Sequence, residues 1–325
     1  MPFFNGMLMR DALNDDGTVP SPGYSYASPD IISHAEVAAP QAYFSANYTS
    51  DPNEPLQKGS TTNYLYARAR NLSTQTLSDW NVFLYRASSS LFLNTNVWRQ
   101  NIVPTLGGNN YAALPSTAPQ GIAVASERFL LNAVSNSLFC LIGIAAQGTS
   151  PVIPPPFSAY ADFITWIRGN QNVCGRNLTL AQSFPNRSYE RIDTFSNPKN
   201  EEEPVLFKVT LTGSLPPQTT FGVECAALGV NTNWTVGPKP VTASGMAPAN
   251  FSGAVRTWAT LPTGSSWPSG TKLETTVYVG VQSSSPAAIY AARPEELGME
   301  PEEIADVASG GVLVLLGNCA TVFES

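Results

Sequence analysis

His34 is the only histidine in the 325-residue chain, and it limits the chemistry that the protein can perform. The chain cannot form a zinc site with two or three imidazole ligands. A Ser-His-Asp triad or a Cys-His dyad would have to use His34 as its base. The neighbouring Ser33 and Glu36 give no nucleophile elbow, and the chain contains no GxSxG sequence. We therefore predict an ordinary strand or edge position for His34 and no enzymatic activity.

Carboxylates could still support catalysis, because a glycosidase needs only two of them. Four isolated acids are the candidates for such a pair: Glu127, Glu190, Asp193 and Glu224. No sequence signature pairs them, and neither a P-loop nor a dinucleotide fingerprint is present. The acidic turn at Asp15 and Asp16 lacks the ligand spacing of an EF-hand loop. We predict no catalytic, cofactor or metal residues.

Tryptophan rings present large rigid faces that can stack on sugars. Trp98, Trp234 and Trp267 lie beside turn residues, so they are the candidates for exposed ligand-binding aromatics, although anchoring of loops is the favoured interpretation. Trp80 and Trp258 lie within apolar runs, and we expect both in the core. A carbohydrate-binding function would need the three exposed rings in one patch.

The four cysteines fall two in each half of the chain, Cys140 and Cys174, then Cys225 and Cys319. Their spacing matches neither a zinc pattern nor a CxxC motif, and the sequence does not define pairing. Buried thiols are one interpretation, since cysteine is among the most buried residue types. The other is one disulfide in each half, which would matter in an oxidising compartment.

Charge and hydropathy exclude several classes of partner. The formal net charge of −7 and the pI near 4.8 argue against nucleic acid, and the scattered lysines give no polybasic patch for anionic lipid. The first residues do not form a Sec signal peptide, and no window reaches the roughly 20 apolar residues of a membrane span. The location of the protein is therefore open, with export by a non-Sec route as one expectation.

The stretch Thr61–Ala87 predicts the architecture that must position these residues. Leu65, Ala67 and Ala69 alternate with tyrosines and arginines, which is the period of a β-strand. A polar connection follows, and then an aromatic and β-branched run from Trp80 to Tyr85 predicts a partner strand beside the first. With 24 glycines and 27 prolines spread along the chain, many short strands joined by turns are expected.

We predict an all-β protein of two tandem immunoglobulin-like β-sandwich domains, with one short helix near the C-terminus. Residues 1–30 are expected to form an N-terminal arm, 31–181 the first sandwich, 182–203 a linker and 204–325 the second sandwich. Other strands are predicted at Ala42–Tyr48, Ser89–Trp98 and Ala161–Ile167. The helix is predicted where prolines precede glutamates, around Pro294 and Pro301.

Two segments resemble a known family. The sequence NYLYARARNLS (63–73) resembles the central strand of bacterial immunoglobulin-like and cell-adhesion-related (CARDB-like) domains, and NQNVCGRNLTL (170–180) resembles their closing strand. Ser73 stands where that family prefers glycine, and the loops here are longer. The resemblance covers about a third of the first predicted domain, and it implies a non-catalytic module of a secreted or surface protein, although a fold alone does not carry function.

The function expected from these observations is a non-enzymatic protein-binding or adhesion-type module that uses strand edges and loops. A protein partner or self-association is the expected interaction. One alternative is a structural component of an exported or phage-like assembly, of the contractile-injection type, which self-association would favour. Others are a non-catalytic toxin or effector that acts on a membrane, with a possible role in virulence, and a carbohydrate-binding protein.

Overall fold

The computed structural model describes residues 4–57, 62–88, 95–131, 139–237 and 241–324. These residues form two compact units. The first unit comprises residues 1–88, 93–157 and 163–178, and the second comprises 89–92, 158–162 and 179–325. Strands dominate both units, as the turn-rich sequence predicts.

The first unit contains two sheets. One has the order β1-β4-β2, with β7 and β8 also paired to β4, and the other has the order β10-β9-β5-β6. The strands are β1 (Met7–Leu8), β2 (Ile31–His34), β3 (Leu56–Gln57), β4 (Asn63–Asn71), β5 (Trp80–Ser88), β6 (Ala112–Ala113), β7 (Ile122–Val124), β8 (Phe129–Leu131), β9 (Phe139–Gln147) and β10 (Val173–Asn177). The helices are α1 (Pro40–Ala46), α2 (Thr95–Gln100) and α3 (Tyr160–Gly169), the last of which begins in the second unit.

The two sheets of the first unit pack face to face around an apolar core. Met9 and Ile31 pack closely over Gly143 of β9, where an added Cβ would meet both side chains. The outer side of β4 is covered as well, because Phe44 of α1 contacts Tyr66 with a ring separation of 4.8 Å. Strand β4 is therefore buried on both faces.

The second unit is also a sandwich of two sheets, with the orders β17-β13-β19-β20-β11 and β12-β18-β14-β15, and β16 also paired to β14. The strands are β11 (Leu180–Ser183), β12 (Ser188–Asn197), β13 (Glu203–Thr212), β14 (Thr220–Cys225), β15 (Val230–Asn231), β16 (Trp234–Thr235), β17 (Val241–Ala247), β18 (Phe251–Thr260), β19 (Thr271–Val281) and β20 (Val312–Glu324). The short helices are 3-10 turns at Ala226–Leu228 and Pro286–Tyr290, then α4 (Pro294–Leu297) and α5 (Pro301–Val307).

Four strands of the second unit coincide with alternating runs in the sequence, in keeping with the predicted all-β class. Strands β13, β14, β18 and β19 lie where valine, leucine and phenylalanine alternate with polar residues. The aromatic rings of Phe195 and Phe207 meet between the two sheets, 5.9 Å apart. An immunoglobulin-like connectivity stays a prediction for both units.

The division of the chain differs from the predicted one. The predicted linker, 182–203, contains the end of β11 and all of β12, and the second unit begins at residue 179. The predicted arm, 1–30, belongs to the first unit, because Met7, Leu8 and Met9 are fully buried. Both segments contain charged residues, which the sequence reasoning took as a sign of exposure. In the arm, however, Arg10 is buried and pairs with Asp30 at 2.6 Å.

Several predicted strands are helices. Ala42–Tyr48 contains most of α1, which begins at Pro40, a residue whose fixed φ suits a first helical position. Ala161–Ile167 lies within α3, and the end of Ser89–Trp98 lies within α2, while 89–94 fall outside the described residues. The predicted strand pair at 61–87 exists as β4 and β5, but the two strands lie in different sheets.

The C-terminal segment contains two short helices, α4 and α5, where one was predicted. Both begin at proline with glutamates in the first turn, and Gly298 ends α4 in a left-handed conformation, φ 69°. After the two helices the chain continues as a single strand, β20, which pairs antiparallel with β19 and parallel with β11.

Candidate functional site

Strand β12 forms an edge of the smaller sheet of the second unit. It pairs with β18 over ten consecutive residues without a bulge, and among the described strands β18 is its only neighbour in the sheet. Natural sheets usually protect such edges with proline, lysine, bulges or very short strands. Within Ser188–Asn197, β12 contains no proline, lysine or bulge, and its inward-pointing charges, Arg191 and Asp193, pair with each other.

Two hydrogen bonds show which backbone groups of β12 point away from β18. Leu261 N donates to Arg187 O at 2.9 Å, so the odd-numbered residues face β18. The hydroxyl of Tyr160 donates to Ser196 O at 2.8 Å from the opposite side. Because N–H and C=O of one residue point the same way in an antiparallel ladder, the even-numbered residues of β12 face the edge. Among the described residues, the backbone groups of Ser188, Glu190, Ile192 and Thr194 on this side have no hydrogen-bond partner.

The same even-numbered residues place their side chains on the outer face of this sheet. Ile192 is the apolar residue of this set, and 61% of its surface is exposed. Opposite it on β18, Arg256 donates from Nε to Glu190 Oε2 at 2.6 Å and from Nη1 to Glu224 Oε2 at 3.1 Å. The hydrogen bond that Arg256 donates to Glu190 is the main cause that raises the pKa of Arg256.

Trp258 lies on this outer face too, directly across from Glu190 on β12. Its ring packs over Gly222 of β14, where a Cβ would approach the ring Cζ2 to 2.8 Å and the carbonyl of Thr232 to 2.3 Å. Only glycine fits between them. We call the set Glu190, Ile192, Glu224, Arg256 and Trp258 the β12 face.

The inner face of β12 carries a buried ion pair. Arg191 donates from Nε to Asp193 Oδ2 at 2.7 Å, and both side chains are at most 3% exposed. The guanidinium also reaches the hydroxyls of Thr321 at 3.3 Å and Thr275 at 3.4 Å in the opposite sheet. This pair is enclosed by the sandwich and is structural rather than accessible.

A second feature is a pocket of about 290 Å³ in the first unit. The residues that define its chemistry are His34, Glu36, Glu54, Gln57, Asn63 and Tyr64. His34 Nδ1 lies 3.1 Å from Ala35 O, and Nε2 lies 3.5 Å from Glu54 Oε1. Glu54 is held in place because its Oε2 accepts from Ala35 N at 2.8 Å.

The other wall of this pocket is formed by β4. Asn63 Oδ1 accepts from Gln57 N at 2.9 Å, whereas Asn63 Nδ2 is buried and has no hydrogen-bond partner among the described residues. The guanidinium of Arg128 lies over the Tyr64 ring at 4.2 Å and donates to Glu36 at 2.8 Å. The pocket thus combines two carboxylates with an aromatic ring.

The structure corrects the prediction that three tryptophans are exposed. Trp98 is fully buried on α2, 5.4 Å from the ring of Phe163, and Trp267 is 6% exposed because it stacks on Phe323 at 4.3 Å. Trp234 is partly exposed. Trp98 and Trp267 therefore do not supply the exposed rings that a sugar platform requires.

The four candidate carboxylates are also dispersed. Glu127 lies in the first unit, where it accepts from the backbone N–H of Gly107. Asp193 points into the second sandwich, while Glu190 and Glu224 bind the same guanidinium on its outer face. Among the described residues, no group of three or more His, Cys, Asp or Glu is arranged to hold a metal ion.

All four cysteines are buried as thiols. Burial raises the pKa of the Cys174 thiol well above its ordinary value, against a hydrogen bond from Ser28 that lowers it. Among the described residues, no helix is both long enough and apolar enough to cross a membrane.

Sequence reasoning missed the β12 face and the pocket. The edge strand was hidden because its inward residues include Arg191 and Asp193, so the segment reads as polar. Trp258 was assigned to the core from its apolar neighbours, but its position opposite Glu190 and over Gly222 places it on the outer side. The pocket joins β2, β3 and β4, and only the fold shows that these segments meet.

No protein-family profile matches the chain. No curated protein matches it by sequence either. Solved structures with partial similarity include the Enterococcus faecalis MSCRAMM ACE, which binds its ligands by the collagen hug model (6% identity, 83% of this chain and 92% of that chain, TM-score 0.23). Another is the B domain of a biofilm associated protein, with 6% identity over 81% of this chain and 80% of that chain and a TM-score of 0.23. A third is the calcium binding domain CBD12 of CALX1.1, with 6% identity over 82% of this chain and 95% of that chain and a TM-score of 0.19. Similarity at this level supports no inference about fold or function, and the CARDB-like resemblance stays a prediction.

Proposed function

We propose that this protein is a non-enzymatic interaction module that associates with a second copy of itself through the open edge of β12. The observation that carries the proposal is the combination of a regular ten-residue edge strand with an exposed isoleucine at its centre. Open N–H and C=O groups along such a strand are a template for strand addition, in which the main chain supplies affinity and alternate side chains supply selectivity.

A second copy suits this edge because the strand is self-complementary in one antiparallel register. That register places Ile192 opposite the partner's Ile192 and Glu190 opposite the partner's Thr194, so no like charges meet across the edge. It also joins even-numbered residues of both copies, which are the ones whose backbone groups are open. The paired isoleucines would remove from water an apolar side chain that is 61% exposed in the single chain.

The test compares two substitutions at Thr194, which lies on the open edge. Thr194→Pro removes an outward-facing N–H and is tolerated by an edge strand, because the bonds to β18 come from the other residues. We expect this substitution to raise the dimer dissociation constant by about tenfold or more. It removes the N–H that would donate to a backbone carbonyl of the second copy, and it places the proline ring against that strand. Thr194→Ala keeps the N–H and is the matched control.

Light scattering at several protein concentrations provides the measurement, and circular dichroism checks that each variant is folded. Ile192→Lys should weaken association as well, because it places two like charges opposite each other across the edge. A protein that is monomeric at every concentration would contradict the proposal. A dimer with the same dissociation constant in Thr194→Pro and Thr194→Ala would contradict it too.

A further inference from the structure

Residues 151–157, with the sequence PVIPPPF, form a surface segment of the first unit between β9 and α3, and we call it the proline segment. It contains no helix, strand or turn. Four of its seven residues are prolines, which fix φ at about −65° and hold each preceding residue in the extended region. The peptide bonds before these prolines are trans. Together these restrictions favour polyproline II, a left-handed helix with about three residues per turn.

The burial of the side chains follows this period of three. Pro154 is buried and Phe157 is partly buried, so the edge of the helix that carries both residues faces the protein. The ring of Phe157 fixes this edge, because it lies 5.6 Å from the ring of Phe163 and 5.3 Å from that of Trp166 on α3. The fold therefore holds the proline segment in place through one of its three edges.

The other two edges of the proline segment face solvent. One edge carries Val152, which is 43% exposed, and Pro155, which is partly exposed. The next edge carries Ile153, which is 48% exposed, and the exposed Pro156. Two successive turns thus each present a pair of adjacent apolar side chains. Such pairs are what a groove with aromatic walls binds in a polyproline II ligand.

The backbone of the proline segment is anchored at one carbonyl and open at others. The hydroxyl of Tyr85 donates to Val152 O at 2.8 Å. Among the described residues, no donor reaches the carbonyls of Ile153, Pro155 and Pro156. Because proline has no N–H, the segment offers a partner mainly acceptors. Side chains that donate, such as the indole N–H of tryptophan and the hydroxyl of tyrosine, match this backbone.

We propose that the proline segment binds a protein domain whose groove is lined by aromatic side chains, the kind of groove that takes polyproline II ligands. No charged residue lies between Gln147 and Asp162, so a neutral aromatic groove fits this surface. The fold already holds the extended conformation, and binding therefore orders little additional backbone. The segment belongs to the first unit and β12 to the second, so this inference does not depend on association through β12.

NMR titration with the full chain tests the proposal. The probes are three ¹⁵N-labelled domains that bind polyproline II ligands, an SH3, a WW and an EVH1 domain, each titrated separately. We expect shifts or broadening of signals from the aromatic groove of at least one domain. The absence of any change in all three domains would overturn the proposal, as would changes confined to surfaces outside their grooves.

Substitutions on the two solvent-facing edges locate the binding on the chain. Pro156→Ala and Ile153→Asn each remove apolar contact at the surface, and each should raise the dissociation constant by about fivefold or more. Pro217→Ala is the matched control, because Pro217 is an exposed residue of another Pro-Pro pair that lies in a turn, closed by the bond from Thr219 N to Pro216 O at 3.0 Å. Its effect should stay within about twofold.

Circular dichroism checks that all three variants are folded. Binding that is unchanged in both Pro156→Ala and Ile153→Asn would place the contact outside the proline segment and overturn the proposal. An equal loss in Pro217→Ala would overturn it too, because that proline lies in the second unit.

Discussion

The guanidinium of Arg68 holds an irregular stretch of backbone to the centre of the first unit. It lies on β4 and is fully buried. All five of its N–H groups are used, at 2.9–3.0 Å, by Asp30 Oδ1 and by the carbonyls of Pro29, Phe44, Asn47 and Ser50. A planar fork with five fixed donors suits this arrangement, and a lysine ammonium with three donors does not.

Replacing this side chain should therefore be costly. Arg68→Met removes the guanidinium donors of four carbonyls, of which those of Pro29 and Phe44 are buried, and one partner of the buried Asp30 carboxylate, so we expect a loss of about 3–5 kcal/mol in the free energy of unfolding. Arg70→Met is the matched control, because Arg70 is on the same strand, partly exposed, and donates to Gln120 Oε1 at 2.8 Å. Its cost should stay within about 1 kcal/mol. Urea unfolding of both variants measures the difference, and equal losses would show that the Arg68 network is not cooperative.

A pair of buried acids near the N-terminus makes stability depend on pH. Asp15 accepts hydrogen bonds from Gly17 N at 3.0 Å and Asp11 N at 3.1 Å. Burial is the largest cause that raises the pKa of Asp15, from 3.8 to about 6, and burial also raises the pKa of Asp11 well above its ordinary value. Both carboxyls therefore hold their protons more tightly in the folded chain than in the unfolded chain.

The sign of the effect follows from proton linkage. Between pH 4 and 6 the folded state binds more protons than the unfolded state, so the stability contributed by protonated Asp15 is present below its unfolded pKa and is lost as pH rises through the folded value. The rise in the pKa of Asp15 corresponds to about 3 kcal/mol of unfolding free energy. Asp15→Asn should make the unfolding free energy less dependent on pH across this range, as measured by urea unfolding at several pH values. Parallel pH profiles for the two proteins would exclude Asp15 as the source.

At the scale of the elements, sequence periodicity identified strands whose buried face is apolar and missed those whose buried face is polar. Strand β13 alternates Val205, Phe207 and Val209 toward the core, and its limits follow from that pattern. Strand β12 has the opposite distribution, with Arg191 and Asp193 inside and Ile192 outside. The buried charges are stable there because they bind each other and two threonines of the facing sheet.

Strand β4 shows a related limit. Its alternation correctly predicts a strand, with Leu65, Ala67 and Ala69 on one face, and all three are buried. The other face carries Tyr66 and Arg68, which are buried as well, because α1 covers them. The sequence does not show this covering, since the residues of α1 have an aromatic content that is equally typical of a strand.

The candidate sites depended even more on the fold. His34 was correctly singled out as the sole histidine, but its importance lies in the neighbours that β3 and β4 bring to it, Glu54 and Asn63. Trp98 and Trp267 were selected because turns flank them in sequence. Flanking turns do not determine burial. Each of these rings packs against an aromatic ring distant in the chain, Trp98 against Phe163 and Trp267 against Phe323.

At the scale of the whole molecule, the position of the unit boundary has a direct consequence for cleavage. The sequence predicts a linker at 182–203, and the structure places β12 within that segment and the boundary at residue 179. Lys199 lies in the exposed turn between β12 and β13, with Asn200 exposed beside it. A cut after Lys199 therefore falls inside the second sandwich.

Trypsin nicking at Lys199 distinguishes the two divisions of the chain. If 182–203 were a linker, the fragments 1–199 and 200–325 would be separate domains and would elute separately from a sizing column. We expect them to elute as one particle under native conditions and to separate only in denaturant, because β12 on the first fragment pairs with β18 on the second over ten residues and β11 pairs with β20. Arg191, buried within β12, should resist the same protease, because cleavage requires the local strand to open. Fragments that separate without denaturant would support the linker predicted at 182–203. Strand β12 would then not belong to the second unit, and its edge could not be the surface that joins two copies.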